Sequence, residues 1–137
     1  MKTKSILDWG SRIIAALILL QTLFFKFTAH PDSVLLFSTL GVEPFGRVGL
    51  GIAELIVAVL LLVPRTAWLG AIGAIGLMIG AIGTHVFLVG INFNNDGGTL
   101  FALAVVTFTA ASLALYLHRN EVQDFLAKFG VLKPAIN

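Results

Sequence analysis

Four runs of apolar residues, each long enough to cross a lipid bilayer as a helix, dominate this sequence. A helical crossing of the hydrocarbon core needs about 20 mostly apolar residues. With 137 residues, 58% of them hydrophobic and 12% charged, the chain leaves little length for a separate soluble domain. We therefore expect a single all-α integral membrane domain over 1–137, folded as a four-transmembrane-helix antiparallel bundle. The predicted spans are about 10–29, 47–63, 66–90 and 98–118.

Short connecting segments complete the predicted architecture. After the first run Pro31 can begin, and Gly41 can end, a short helix that we expect as a lid of one to two turns on the outer membrane surface. The linker after the third run, INFNNDGG, is rich in turn-forming residues. In residues 119–130 apolar side chains recur at helical spacing, at Val122, Phe125, Leu126 and Phe129. This pattern predicts a C-terminal interfacial helix.

The basic residues predict an orientation. Lys26 and Arg47 fall on one predicted side of the membrane, and the other side carries Lys2, Lys4, Arg12, Arg65, Arg119, Lys128 and Lys133. By the positive-inside rule both termini face the cytoplasm. The first run has no A-x-A-like cleavage site after it, so we interpret it as an anchor and not as a removed signal peptide. Nucleic-acid binding has no support in this composition, and the lipid bilayer is the first partner that it predicts.

Three ionisable residues inside the apolar runs share one predicted depth. Lys26 lies about four residues before the end of the first run, Glu54 about seven after the start of the second, and His85 about five before the end of the third. Successive spans reverse direction, so these positions lie about 5–11 Å below the same outer surface. The topology therefore predicts that residues distant in sequence converge.

A carboxylate at membrane depth needs a partner. On insertion scales a lone acid there costs at least about 2.5–3.5 kcal/mol, so such residues pair with a cation or line a cavity. We expect Lys26 to pair with Glu54, with Arg47, about two turns away on the same helix face, as the alternative. Whether Glu54 is charged depends on that partner. The candidate ligand-binding cluster is Lys26, Arg47, Glu54 and His85.

The cluster has a structural and a functional interpretation. In the structural one, the ion pair only ties helices together, and His85 hydrogen-bonds a backbone carbonyl near its helix end. In the functional one, a polar cavity open to the outer leaflet holds a ligand or relays protons. A metal site is not predicted. The chain has no cysteine, and His30 and His118 lie near opposite surfaces, where they cannot ligate one haem.

Faces of the last two spans can also be predicted. In the third run the glycines share a side with His85, and branched aliphatics take the opposite side. We therefore expect the small residues to pack against helices and the aliphatics to face lipid; these are Ile72, Ile75, Ile79, Ile82 and Val86. From the fourth run we expect an interior-facing stripe of Ala102, Thr109 and Tyr116, with Ser112 near it.

Four short segments carry a resemblance to a known family. They are KFT at the end of the first run, GIAEL in the second, GTHVF closing the third and NDGG followed by Leu100 and Phe101 at the fourth. Together they resemble the DoxX family over about residues 10–118. The resemblance implies a small four-helix protein of the bacterial inner membrane. Named members are associated with thiosulfate:quinone oxidoreductase as a membrane subunit, and others with oxidative-stress or thiol-redox complexes.

Three functions stay open at this point. The resemblance implies a redox-associated subunit without a covalent cofactor, which binds a quinone or another small apolar ligand and acts with a redox partner protein. This sequence departs from relatives that depend on a dithiol, because it lacks cysteine. The second candidate is a small transporter or channel, which needs a homo-oligomer. The cytoplasmic half of each interior helix face is apolar or small, which argues against a polar path through the bundle. The third is a non-catalytic assembly or scaffold protein. Whether the chain catalyses any reaction itself is left open.

Overall fold

The computed structural model of the protein describes residues 2–130, which are helical apart from short connections. Four of the helices, with α4 extended at both ends, are long and apolar enough to cross a membrane. The predicted all-helical fold with four spans is thereby confirmed. The bounds are α1 Lys2–Phe27, α2 Pro31–Thr39, α3 Phe45–Leu62, α4 Ala67–Thr84, α5 Thr99–Leu117 and α6 Arg119–Lys128.

The four long helices form a square bundle. α1 packs against α3 and α5, α4 packs against the same two helices, and α1 and α4 lie across the diagonal with little contact. Short connections make chain neighbours antiparallel. We call the end of the bundle that carries α2 and the 90–98 loop the α2 end. The opposite end, with the start of α1 and with α6, is the α6 end.

α1 begins at Lys2, well before the predicted span start at residue 10. Arg12 pairs with Asp8 one turn earlier at 3.1 Å, and such pairs support a helix. A helix of 26 residues is about 39 Å long, which exceeds a hydrocarbon core of about 30 Å. The first turns of α1 therefore extend beyond the apolar part of the bundle.

The connections follow the predicted turn chemistry. α2 begins at Pro31, and the His30 side chain accepts a hydrogen bond from the backbone N–H of Asp32. Gly41, after the helix, has a φ of 76°, which favours glycine. Before α5 the carboxylate of Asp96 accepts hydrogen bonds from the backbone N–H groups of Gly98 and Leu100, at 2.7 and 3.1 Å.

Small residues allow the helices to approach closely. The core consists largely of alanines on all four long helices, several of them with no exposed surface, including Ala15, Ala58, Ala71, Ala74, Ala111 and Ala114. Ile72, Ile79 and Val86 face outward as predicted. Two other isoleucines of α4, Ile75 and Ile82, instead pack partly against the core. The predicted division of α4 into two faces therefore holds only in part.

The predicted interior stripe of α5 is wrong. Ala102, Thr109 and Tyr116 are exposed. The buried face is rotated from them and carries Ala104, Thr107, Ala110, Ala111 and Ala114. The hydroxyl of Thr109 donates to the carbonyl of Val105 at 2.9 Å, so its own helix satisfies it and it can face lipid. Alanine, not the polar residues, marks the buried side of this helix.

α6 folds back against the bundle through aromatic and charged contacts. Phe125 lies 5.0 Å from Trp68 of α4, and Phe129 lies 4.7 Å from Phe125, between ring centroids. His118 contacts a carboxylate with each ring nitrogen, Asp8 at 2.7 Å and Glu121 at 2.8 Å. The predicted helix after the fourth span is thus present, and its place at the membrane interface stays a prediction. Lys133 lies outside the described residues.

Candidate functional site

A cavity of about 360 Å³ lies within the bundle near the α2 end, and residues of α1 to α5 line it. Its walls are mainly apolar side chains of these helices. The polar side chains among them are Thr22, Lys26, Glu54, Thr84, His85 and Thr107. Volumes of roughly 300–1,000 Å³ with apolar walls and a few polar groups are typical of small-molecule sites. The cavity therefore has the size and character of a ligand site.

An ion pair between α1 and α3 lies in the cavity wall. Lys26 Nζ is 3.0 Å from Glu54 Oε2, and Glu54 has only 4% of its surface exposed. The hydroxyl oxygen of Thr22 lies 3.3 Å from the same carboxylate oxygen and 2.8 Å from the carbonyl oxygen of Leu19. The pairing predicted from depth is thus the one that the structure contains.

Arg47 does not pair with Glu54, and the predicted alternative is wrong. Its Nε lies 2.8 and 3.0 Å from the two carboxylate oxygens of Glu43, one turn earlier in sequence. Its Nη1 donates to the backbone carbonyl of Lys26, and the side chain lies outside the cavity wall. Arg47 pairs with Glu43 because the two side chains lie one turn apart, whereas Glu54 lies about two turns away.

His85 lines the cavity and also bonds to a carbonyl. His85 has 3% of its surface exposed, and Nδ1 lies 3.0 Å from the carbonyl oxygen of Gly90. The chain forms a wide π-helical turn over His85–Val89 and ends it at Gly90, whose φ is 88°. Such turns often occur at functional sites. The carbonyl contact that the structural interpretation predicted is therefore present, and it leaves the other ring nitrogen available.

Sequence reasoning missed two parts of the cavity. Thr107 has no exposed surface and donates its hydroxyl hydrogen to the carbonyl of Leu103 at 2.8 Å. Its position within the alanine pattern of α5 was the available signal. The second part is the contact of α2 with the cavity, because we expected α2 as a lid on the membrane surface without naming the residues that line a cavity. Its apolar side chains Leu36 and Phe37 cover the cavity, and Phe37 is 5% exposed.

Comparison with known families identifies the chain. The model of the DoxX-like family matches residues 11–112, which include all four residues of the predicted cluster. The protein belongs to the DoxX-like family. No curated protein and no solved structure matches the chain. Family membership agrees with the resemblance carried by the four short segments, and it establishes a multi-pass membrane protein.

A smaller cavity of about 220 Å³ adjoins the first in this DoxX-like protein, and we call it the vestibule. It lies between α1, α2, the 90–98 loop and the start of α5, and Lys26 and Phe37 belong to the walls of both cavities. The side chain of Asn94 donates to Asp32 at 2.9 Å and joins the loop to α2 across its rim. Lys26 therefore stands between the deeper cavity and the α2 end of the bundle.

Two buried arginines join α1 and α3 in a reciprocal way, and we call them the arginine clamps. Arg12 of α1 donates from Nε to the carbonyl of Leu61 at 2.6 Å, near the end of α3. Arg47 of α3 donates to the carbonyl of Lys26, near the end of α1. Each arginine also pairs with an acid one turn earlier. The two clamps hold both ends of this antiparallel helix pair.

The clamps allow the two halves of the α1–α3 contact to be compared. One sequence offset relates Arg12 to Arg47, Lys26 to Leu61 and Leu19 to Glu54. The ion pair at the α2 end thus corresponds to a leucine pair towards the α6 end. Leu19 and Leu61 have 1% and 0% of their surface exposed and belong to the core. Helix packing alone is therefore satisfied by leucines at these positions, and the charges need another explanation.

Proposed function

We propose that this DoxX-like protein binds a small apolar molecule with an oxygen-bearing head, of the quinone class, in the cavity beside the Lys26–Glu54 ion pair. It acts as a redox-associated membrane subunit together with a partner protein. The observation that carries the proposal is the placement of that ion pair in the wall of an apolar cavity. At the corresponding positions towards the α6 end, the leucines Leu19 and Leu61 satisfy helix packing without any charge.

The chemistry of the walls supports this ligand class. A flat apolar ring fits among side chains such as Leu77, Met78 and Leu103, and burying it removes apolar surface from water. An oxygen on the ring can accept a hydrogen bond from Lys26 Nζ, which keeps N–H groups beyond the one directed to Glu54. Because the chain has no cysteine, electrons would reach such a ligand from the partner protein.

The proposal includes a location and an orientation. The inner membrane of a bacterium, with both termini in the cytoplasm, agrees with the basic residues at the α6 end, such as Arg65 and Arg119. The cavity then opens toward the outer leaflet. Reporter fusions at the N-terminus and in the 90–98 loop test this orientation. A reporter that is active only in the periplasm should work from the loop, and activity from the N-terminus would contradict it.

Equilibrium binding to the protein in lipid nanodiscs tests the function. The probes are a short-chain alkyl benzoquinone and its hydroquinone, measured against empty nanodiscs. The informative variant is the double change Lys26→Leu and Glu54→Leu, which copies the leucine pair of the other end. Replacing a buried ion pair by apolar residues is often neutral or stabilising, so this variant should fold. Thermal unfolding of the same sample checks that it does.

We expect saturable binding to the wild type and at least about tenfold weaker binding to the folded double variant, because a hydrogen bond to a charged group contributes about 1.5–3 kcal/mol. Asp124→Asn, which removes an exposed charge from α6, is the control and should bind normally. Equal binding by the wild type and the double variant, or no saturable binding of either probe, would overturn the proposal.

A further inference from the structure

The polar atoms that line the cavity differ in what they can still bond. Glu54 directs Oε2 to Lys26, and no donor within residues 2–130 bonds its other oxygen, Oε1. Every fully enclosed side-chain nitrogen and oxygen in that part of the chain has a partner. Oε1 is therefore not enclosed by protein, and the space that it borders is the cavity that Glu54 lines. A carboxylate oxygen there can only accept a hydrogen bond.

His85 presents a second acceptor. The carbonyl of Gly90 can only accept, so Nδ1 carries the hydrogen of that 3.0 Å contact. In a neutral ring, a hydrogen on Nδ1 leaves the lone pair on Nε2. Nε2 has no partner among residues 2–130, and by the same reasoning it borders the cavity. The tautomer thus follows from the backbone contact.

The threonines of the wall offer no donor to a ligand. Thr84 and Thr107 each donate the hydroxyl hydrogen to a carbonyl of their own helix, at 2.8 Å in both cases. The hydroxyl of Thr22 lies equally close to the carbonyl of Leu19. Of the lining side chains that the structure describes, Lys26 alone keeps spare N–H groups. The cavity therefore combines one donor with several unfilled acceptors.

We propose that the site selects a hydroxyl head over a carbonyl head, and so takes the hydroquinone or phenol form of its ligand in preference to the quinone. This inference rests on the proposed function and specifies the ligand of the same cavity. A carbonyl oxygen only accepts, so it bonds Lys26 and leaves Glu54 Oε1 and His85 Nε2 unfilled. A hydroxyl donates to one of these acceptors and still accepts from Lys26.

The expected preference is at least about tenfold. A site that offers hydrogen bonds to a hydroxyl discriminates strongly against an analogue that lacks it, because buried polar groups are then left unpaired. The same difference favours the reduced form of a bound redox pair. The bound ligand would thus be easier to reduce than the same molecule free in the lipid.

Two probe pairs test the preference in nanodiscs. The first pair is an alkyl hydroquinone and the matching quinone. The second is an alkylphenol and its methyl ether, which need no reductant and differ only in the hydrogen that the hydroxyl donates. We expect the hydroxyl member of each pair to bind at least about tenfold more tightly to the wild type. Equal affinities, or tighter binding of the quinone and the ether, would overturn the inference.

Variants give the preference a signature that a general loss of binding cannot mimic. Glu54→Gln puts an amide N–H₂ in place of an acceptor, so the preference should narrow or reverse as quinone binding improves. His85→Phe removes the second acceptor and should reduce the preference while binding persists. An unchanged preference in both variants would contradict the assignment. If the wild type binds a ligand without preference, only this inference fails; if it binds neither form, the proposed function fails too.

Discussion

At the scale of single residues, Gly70 determines how closely α3 and α4 approach. A Cβ atom at this position would lie 2.6 Å from the backbone nitrogen of Leu61 and 2.9 Å from the carbonyl carbon of Leu60. Backbone atoms cannot move aside as the end of a flexible side chain can. A β-carbon is therefore excluded unless the two helices separate. Small residues at such contacts are the usual basis of helix association in membranes.

We predict that Gly70→Ala lowers the free energy of unfolding by about 1–3 kcal/mol, the usual cost of overpacking a close contact. The measurement is thermal unfolding in mild detergent, followed by circular dichroism. Gly83→Ala is the control, because a Cβ atom there meets nothing within 4 Å. Alanine favours the helix over glycine, so the control should be neutral or slightly stabilised. A Gly70→Ala protein as stable as the control would contradict the proposed contact.

Single residues also mark what the sequence could predict of the site. Reversal of direction at each turn was enough to bring Lys26, Glu54 and His85 to one depth, and all three line one cavity. Whether Lys26 or Arg47 is the partner of Glu54 was harder to predict, because Arg47 pairs with another acid, Glu43. Thr107 escaped notice because a threonine can satisfy its hydroxyl within its helix and then shows no polar pattern.

At the scale of helices, the arginine clamps explain how α1 and α3 keep their register. A helix end leaves carbonyl groups without partners inside the helix, and in lipid no water supplies them. Arg12 donates to two such carbonyls, Leu61 at 2.6 Å and Leu62 at 3.2 Å. Arg47 does the same for α1 at Lys26. The positive charge of each guanidinium is also stabilised by the negative, C-terminal end of the partner helix dipole.

We predict that Arg12→Leu and Arg47→Leu each destabilise the protein by about 3–5 kcal/mol, because each removes a charged partner from an acid and the donor from one or two carbonyls. Arg65→Leu is the control, because Arg65 is exposed in the turn between α3 and α4. Arg47→Lys should recover part of the loss, since the lysine ammonium keeps the positive charge and N–H donors. Unfolding of the two leucine variants at the temperature of the control would show that the clamps do not hold the helices.

The sequence predicts the presence of the four spans better than it predicts where a helix ends or which of its faces is buried. Hydropathy identifies the four spans because their composition is uniform along about 20 residues. It does not mark the start of α1, where Asp8 and Arg12 continue the helix through charged residues. It also failed for α5, whose buried face is distinguished by alanines and not by polarity. In a bilayer, apolarity is common to both faces, so residue size carries the information that polarity carries in water.

At the scale of the whole molecule, an apolar layer separates the cavity from the α6 end. Tightly packed residues with at most 1% of their surface exposed form this layer, among them Leu19, Ala58, Leu61, Ala74 and Ala111. Beyond it lies a second charged group, in which Asp8 contacts both Arg12 and His118. Among the described residues, the ion pair in the cavity wall and this second charged group thus lie on opposite sides of the apolar layer.

This separation predicts that a single bundle conducts neither ions nor protons. Proteoliposomes containing the wild type should show proton and cation flux at the level of empty liposomes, and Glu54→Gln should leave it unchanged. An ion crossing the layer would lose its hydration without gaining ligands, which is costly in a medium of low polarity. Liposomes treated with a protonophore are the positive comparison. Flux in the wild type that falls in Glu54→Gln would instead favour the transporter, with the pathway between copies of the chain.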